Sequence, residues 1–137
     1  MSTSTTAGHD LVTTIERLYD LEQRKQLEEW SALWADDAEV LFPLSTEKEK
    51  HEIFGKEELV ARTAQKFIDR ERTELDVRVE AMADGRRVVS HLDATIRFAT
   101  GKVLSIPLLI IFTFNDAGLI RRMEEYVNEV ALAAAQD

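Results

Sequence analysis

Residues 73–131, TELDVRVEAMADGRRVVSHLDATIRFATGKVLSIPLLIIFTFNDAGLIRRMEEYVNEVA, decide the fold. Side-chain character alternates with a period of two along most of this stretch. It is interrupted at Asp84-Gly85, Thr100-Gly101 and Asn115-Asp116-Ala117-Gly118. Alternation marks strands, and Asp-Gly and Thr-Gly pairs supply the positive φ that tight hairpins demand. The spacing predicts four long strands at roughly 73–83, 86–99, 102–114 and 119–131.

The upstream half has a different period. Asp10 reads as a helix N-cap followed by Leu11, Ile15, Leu18 and Tyr19 at helical spacing. Leu27, Trp30, Leu33 and Trp34 continue that pattern, so two helices are expected before residue 37. On one helical face, the two tryptophans are either core or a platform for a ligand. AEVLFPL, Ala38 to Leu44, reads as a short strand stopped at Pro43, and STEKEKHE after it as a charged loop. Gly55 then precedes KEELVARTAQKFIDR, a third helix marked by Leu59, Val60, Thr63 and Phe67. Helices first and a meander afterwards predict an α+β fold with three helices on one face of a curved antiparallel sheet. The first nine residues, MSTSTTAGH, are expected to be a flexible tail, and 10–137 a single domain.

Composition narrows the function. Seventeen Lys and Arg against 26 Asp and Glu give a formal charge of −9, which repels nucleic-acid backbones and anionic membranes. With no cysteine among the 137 residues, disulfides, thiolate nucleophiles and Cys-ligated metals are excluded. His9, His51 and His91 lack metal-ligand spacing, and neither a phosphate-binding loop nor a GxSxG elbow around Ser90 or Ser105 occurs. No metal and no cofactor are expected. The start carries no basic, apolar signal segment and the run Ile106–Phe112 is too short to span a bilayer, so a cytoplasmic location without membrane attachment is expected. Carboxylate and histidine acid–base chemistry remains.

The strand faces show where such chemistry could sit. Val88, Leu92, Ala94, Ile96 and Phe98 share one face of the second long strand, and His91, Asp93, Thr95 and Arg97 the other. By alternation alone the polar set is either solvent-facing or the wall of a site. Glu125 shares a face with Leu119, Met123 and Val127, which makes it either an edge charge reaching water or a functional carboxyl. The third long strand is apolar on both faces, with Leu104, Ile106, Leu108, Ile110 and Phe112 on one and Val103, Leu109 and Ile111 on the other. Helices cover only one face. A homodimer interface bearing Leu92, Ile96, Leu109 and Ile111 is therefore expected.

The element order, with LWADDAEV before a proline, GKEEL opening a helix and a meander closing in FTFNDAGLIRRMEEYVNEV, resembles the nuclear transport factor 2-like superfamily over roughly Asp10 to Ala131. That resemblance implies a cone whose sheet wraps a ligand cavity, in a superfamily that includes ketosteroid isomerases, SnoaL-like cyclases, limonene epoxide hydrolases and non-catalytic binding proteins. The isomerases' base, acid and first-helix tyrosine look like Phe42, Ile110 and Leu18 here, so their groups are missing. The limonene epoxide hydrolases look closer: His91-x-Asp93 stands eight positions before Gly101, and Glu125 precedes Tyr126. This resemblance turns the odd-numbered face of 88–98 inward and implies a catalytic trio of Asp93, His91 and Glu125, with one carboxyl as acid, the other as base and the histidine coupling them. Val40, Phe42, Ile106, Leu108, Ile110, Phe112, Met123 and Val127 would line the cavity around an apolar, oxygen-bearing small molecule. The expected function is a cofactor-free SnoaL-like cyclase, hydrolase or dehydratase. The alternative is a binding or dimeric accessory protein of the same fold.

Overall fold

A computed structural model describes residues 3–45 and 52–128, with side chains from Asp10 onward. His9's side chain, most of the charged loop with His51, and the end of the last expected strand lie outside the described residues. Helix α1 spans Thr3–Gln23, so it begins well before Asp10. Ser, Thr and Gly are poor helix residues but not prohibitive ones. Asp10 thus lies inside the helix, where its carbonyl accepts a bond from Thr14 Oγ1 at 2.9 Å. The face carrying Ile15, Leu18 and Tyr19, with Leu21, is fully buried.

The second helix is much shorter than its pattern suggests. α2 covers only Leu27–Ser31, and Trp34 opens strand β1, Trp34–Leu41. Trp30 and Trp34 therefore belong to different elements rather than to one helical face. The physical reason is a long-range bond: the Leu33 carbonyl accepts from the Ile120 amide at 2.9 Å, which draws the chain into the sheet. Trp34 then pairs with Ile120. After the two-residue strand β2, Ile53–Phe54, helix α3 runs Lys56–Asp69 and buries Leu59 and Thr63.

Strands β3 (Arg70–Ala81), β4 (Arg87–Phe98), β5 (Val103–Phe114) and β6 (Ile120–Tyr126) form the meander. The curved six-stranded sheet has the order β2-β1-β6-β5-β4-β3. It is mixed rather than antiparallel, because β1 and β6 pair in parallel with Val40 opposite Met123. Turn chemistry sets the register of the meander. Gly101, at φ +93, closes the β4–β5 turn by donating to Phe98 O, and Phe98 in turn donates to Lys102 O. Counting back from that turn pairs even residues with even and odd with odd: Leu92 with Leu108, Asp93 with Pro107, Ser90 with Ile110. Between β5 and β6 the parity changes, with Ile110 opposite Glu125 and Phe112 opposite Met123.

The two faces of the sheet follow from this register. Val88, Ser90, Leu92, Ala94 and Ile96 are buried beneath the helices together with Leu104, Ile106, Ile110 and Phe112. α1 packs on β3 and β4, and α3 on β1, β2 and β3. The opposite, convex face carries Arg87, Asp93, Thr95, Arg97 and Val103, all exposed, with half-buried His91, Leu109 and Ile111. Leu92 and Ile96 are core residues and not part of any outer interface.

Candidate active site

Between helices and sheet lies a cavity of about 240 Å³. Val40, Phe42, Ile106, Leu108, Ile110, Phe112, Met123 and Val127 border it. Trp30 and Trp34 also border it, with ring centroids 5.2 Å apart and indole N–H groups that are buried without an acceptor. Phe112 meets Tyr19 and Trp34 edge-on, at 6.0 and 6.4 Å, and anchors the wall.

The expected trio is not brought together. Glu125 stands on the inner face opposite Ile110, whereas His91 and Asp93 lie on the convex face opposite Leu109 and Pro107. Strand pleating accounts for the separation. A residue of β4 shares a side with Glu125 only if its register partner on β5 has the parity of Ile110, and the odd-numbered His91 and Asp93 do not. The polar residue that β4 sends inward is Ser90, fully buried.

Ser90 is joined from above by α1. The Tyr19 hydroxyl lies 2.7 Å from Ser90 Oγ, and Ser90 Oγ donates to the Ile110 carbonyl at 3.2 Å. Serine has one hydroxyl proton, so with that proton on Ile110 the phenol is the donor to Ser90. Ser90, Ile110 and Glu125 form a continuous row across three strands, with Tyr19 over it. Burial pushes the Tyr19 phenol far above its ordinary range; the Ser90 bond offsets part of that, while the Glu22 and Glu125 charges add to it. Tyr19 stays neutral.

Glu125 is the chemically distinctive group. Its side chain borders the cavity and has neither a hydrogen-bond nor an ion-pair partner among the described residues. Burial raises its pKa above the usual carboxylate range, with Glu22 pushing the same way and Lys66 and Arg70 opposing. Glu125 is half-buried and faces the cavity, where the surrounding protein wall desolvates its carboxyl. Nearby arginines do not quench it: Arg121 and Arg122 pair instead with Asp37 and Glu39, at 3.3 and 2.6 Å, away from the cavity.

Tyr19 reads in the sequence only as part of a core-facing helical stripe. Ser90 reads as an ordinary strand residue, although it is the one hydroxyl among Val88, Leu92, Ala94, Ile96 and Phe98 at matching parity. The cavity's remaining polar border, Glu22, Lys66, Arg70 and Thr73, comes from the ends of α1 and α3 and the start of β3, which only the packed fold joins.

The SnoaL-like domain family matches residues 15–123, and the chain belongs to it. Solved structures share the fold at low identity. A candidate polyketide cyclase from Xanthomonas campestris pv. campestris superposes with a TM-score of 0.79 at 19% identity, covering 98% of this chain and 100% of the other. A phenazine biosynthesis-related protein from Pseudomonas aeruginosa gives 0.81 at 15%, covering 98% and 85%. An LEH-like epoxide hydrolase from M. tuberculosis gives 0.77 at 13%, covering 93% and 89%. No curated protein matches at a significant level. No described helix is long and apolar enough to cross a membrane.

Proposed function

We propose that the cavity is an acid–base active site in which Glu125 transfers a proton to and from a small, largely apolar, oxygen-bearing molecule. The observation that carries this reading is an unpartnered carboxyl with raised proton affinity set in a mainly apolar cavity wall. Such a carboxyl donates to a carbonyl, hydroxyl or epoxide oxygen and, once ionised, accepts a proton from carbon or water. Tyr19 borders the same cavity and is held in place by its hydrogen bond to the buried Ser90. This chemistry fits cyclisation, hydrolysis or dehydration, the first two being reaction classes suggested by the names of the structural neighbours. His91 and Asp93 have no part in it: their place on the convex face supports a one-carboxyl site rather than the expected trio.

Trp30 and Trp34 are the chain's only tryptophans and both border the cavity, so intrinsic fluorescence reports on occupancy. Cyclohexene oxide and 1,2-epoxyhexane serve as neutral probes, with hydrolysis followed in parallel. Glu125→Gln should retain binding and lose turnover by about 100-fold or more. Undiminished turnover in that variant would overturn the assignment of Glu125. Binding without turnover across a broad panel of epoxides, ketones and alcohols would replace the enzyme with a binding protein.

We also propose that the convex face pairs two copies of the chain. On it Asp76 stands opposite Asp93, and one row away Arg78 stands opposite His91, with Pro107, Leu109 and Tyr126 beside them. A two-fold axis between the rows sets each acidic row against the partner's basic one around an apolar centre. Light scattering at micromolar concentration should give a dimer, and Ile111→Lys a monomer. A wild-type monomer would remove the proposal.

A further inference from the structure

The polar end of the cavity holds more positive charge than its surroundings use. Lys66, in the last turn of α3, and Arg70, the first residue of β3, both border the cavity. Neither makes an ion pair among the described residues, whereas most arginines elsewhere in the molecule do. Lys66 is exposed and Arg70 half-exposed, so this end is where the cavity meets solvent. A third cation is close by, since the Lys25 ammonium donates to the Arg70 carbonyl. Asp69, the adjacent acid, is engaged by Gln65 at 2.9 Å.

Glu22 is the other charged group on this part of the wall. It forms no ion pair with Lys66 or Arg70, so both cations remain open to a ligand. A chain of net charge −9 would be expected to surround its cations with acids. The walls away from this end are apolar, from Ile96, Phe98 and Leu104 inward to Phe112 and the two tryptophans. A volume near 240 Å³ lies below the ~300–1,000 Å³ of typical drug-sized sites, which limits the occupant to a small molecule.

We propose that the ligand of this cavity is a small amphipathic monoanion whose carboxylate is held at the mouth by Lys66 and Arg70 while its apolar body lies against the inner wall. The proposal rests on the cavity being the functional site and adds the class of molecule it takes. Arg70 offers a planar fork that matches a carboxylate, and Lys66 a mobile point charge at the rim. Anchoring one end in this way fixes how deep the body reaches, and therefore which of its atoms meets Glu125.

Octanoate and its uncharged isostere octanamide separate charge from shape. Each is titrated into the full chain by tryptophan fluorescence and calorimetry, at low and at 0.5 M salt. The expected result is octanoate binding about tenfold more tightly than octanamide at low salt, with the preference shrinking at high salt. In the Lys66→Gln/Arg70→Gln double variant octanoate should fall to the affinity of octanamide, octanamide binding should not change, and the circular dichroism spectrum should match the wild type. Single variants give the same comparison should the double variant not fold. Equal affinity of the two probes in the wild type, or a preference for octanoate that survives loss of both cations, overturns the anion proposal while leaving the cavity as a site. Failure of both probes to bind overturns the cavity reading together with it.

Discussion

Ser90 and His91 are neighbours on β4, yet they live in different chemical worlds. Ser90 is fully buried on the concave side, bonded to Tyr19 and the Ile110 carbonyl. His91 is half-buried on the convex side, in a row with Arg78 and Leu109. The same contrast runs along the strand and across to β6, where Glu125 faces in and Glu124 faces out, accepting from the Tyr126 hydroxyl at 3.0 Å. The charges of the convex face are largely exposed. On the concave face a single carboxyl without a partner is enough to change local acidity, because little polar surface surrounds it. Location on the pleat, more than residue type, decides which acids of these strands border the cavity.

The sharpest way to break this contrast is at the anchor of the concave wall. Phe112→Ala should cost about 3–5 kcal/mol in chemical denaturation, since the ring is fully buried between Tyr19 and Trp34. Thr95→Ala on the exposed side of β4 should change stability by less than about 0.5 kcal/mol. Similar costs for the two would show that the faces are not energetically distinct.

Glu125→Gln tests the carboxyl itself. The folded-state pKa of Glu125 is raised, so its protonated form favours the folded chain at pH below the unfolded value, and that contribution disappears as pH rises through the folded value. Above it, the wild type carries a buried charge that glutamine does not. The variant should therefore be more stable by about 0.5–2 kcal/mol on the alkaline side, with the difference shrinking toward acid. A variant less stable than wild type at every pH would mean that Glu125 has a structural partner.

A smaller effect is expected from Tyr19→Phe. It removes the donor to Ser90 but leaves the Ser90–Ile110 bond in place, so the loss should be near 1 kcal/mol in denaturant melts. A loss several times larger would show that the tyrosine hydroxyl organises the helix–sheet contact as a whole. The smallest effect belongs to the convex face. Asp93→Asn should leave cavity binding and turnover unchanged and stability within about 0.5 kcal/mol. A collapse of turnover would move the site to the convex face and displace Glu125 from its role.

By itself the sequence determined the α+β class, the third helix, three long strands within a few residues of their observed ends and the start of the fourth, and the inward set from Ile106 to Phe112. These rest on local rules: period two in strands, helical spacing in α3, and positive φ at glycine turns. The facing of His91 and Asp93 was also within reach, since the hairpin at Gly101 pairs odd residues with odd, and the apolar even-numbered face of β5 forces the even-numbered face of β4 inward with it. The resemblance to the epoxide hydrolases implies the opposite parity, which this register does not allow. Only the tertiary structure decided the rest. The parallel pairing of β1 with β6, the early end of α2 and the passage of Trp34 into the sheet depend on Ile120, far along the chain. Tyr19, Ser90, Glu125, Lys66 and Arg70 come from five elements, and no periodicity within any one of them encodes their meeting. Local preference is written every two to four residues, whereas a site is a sum of long-range contacts that exists only once the sheet has curved and the helices have closed over it.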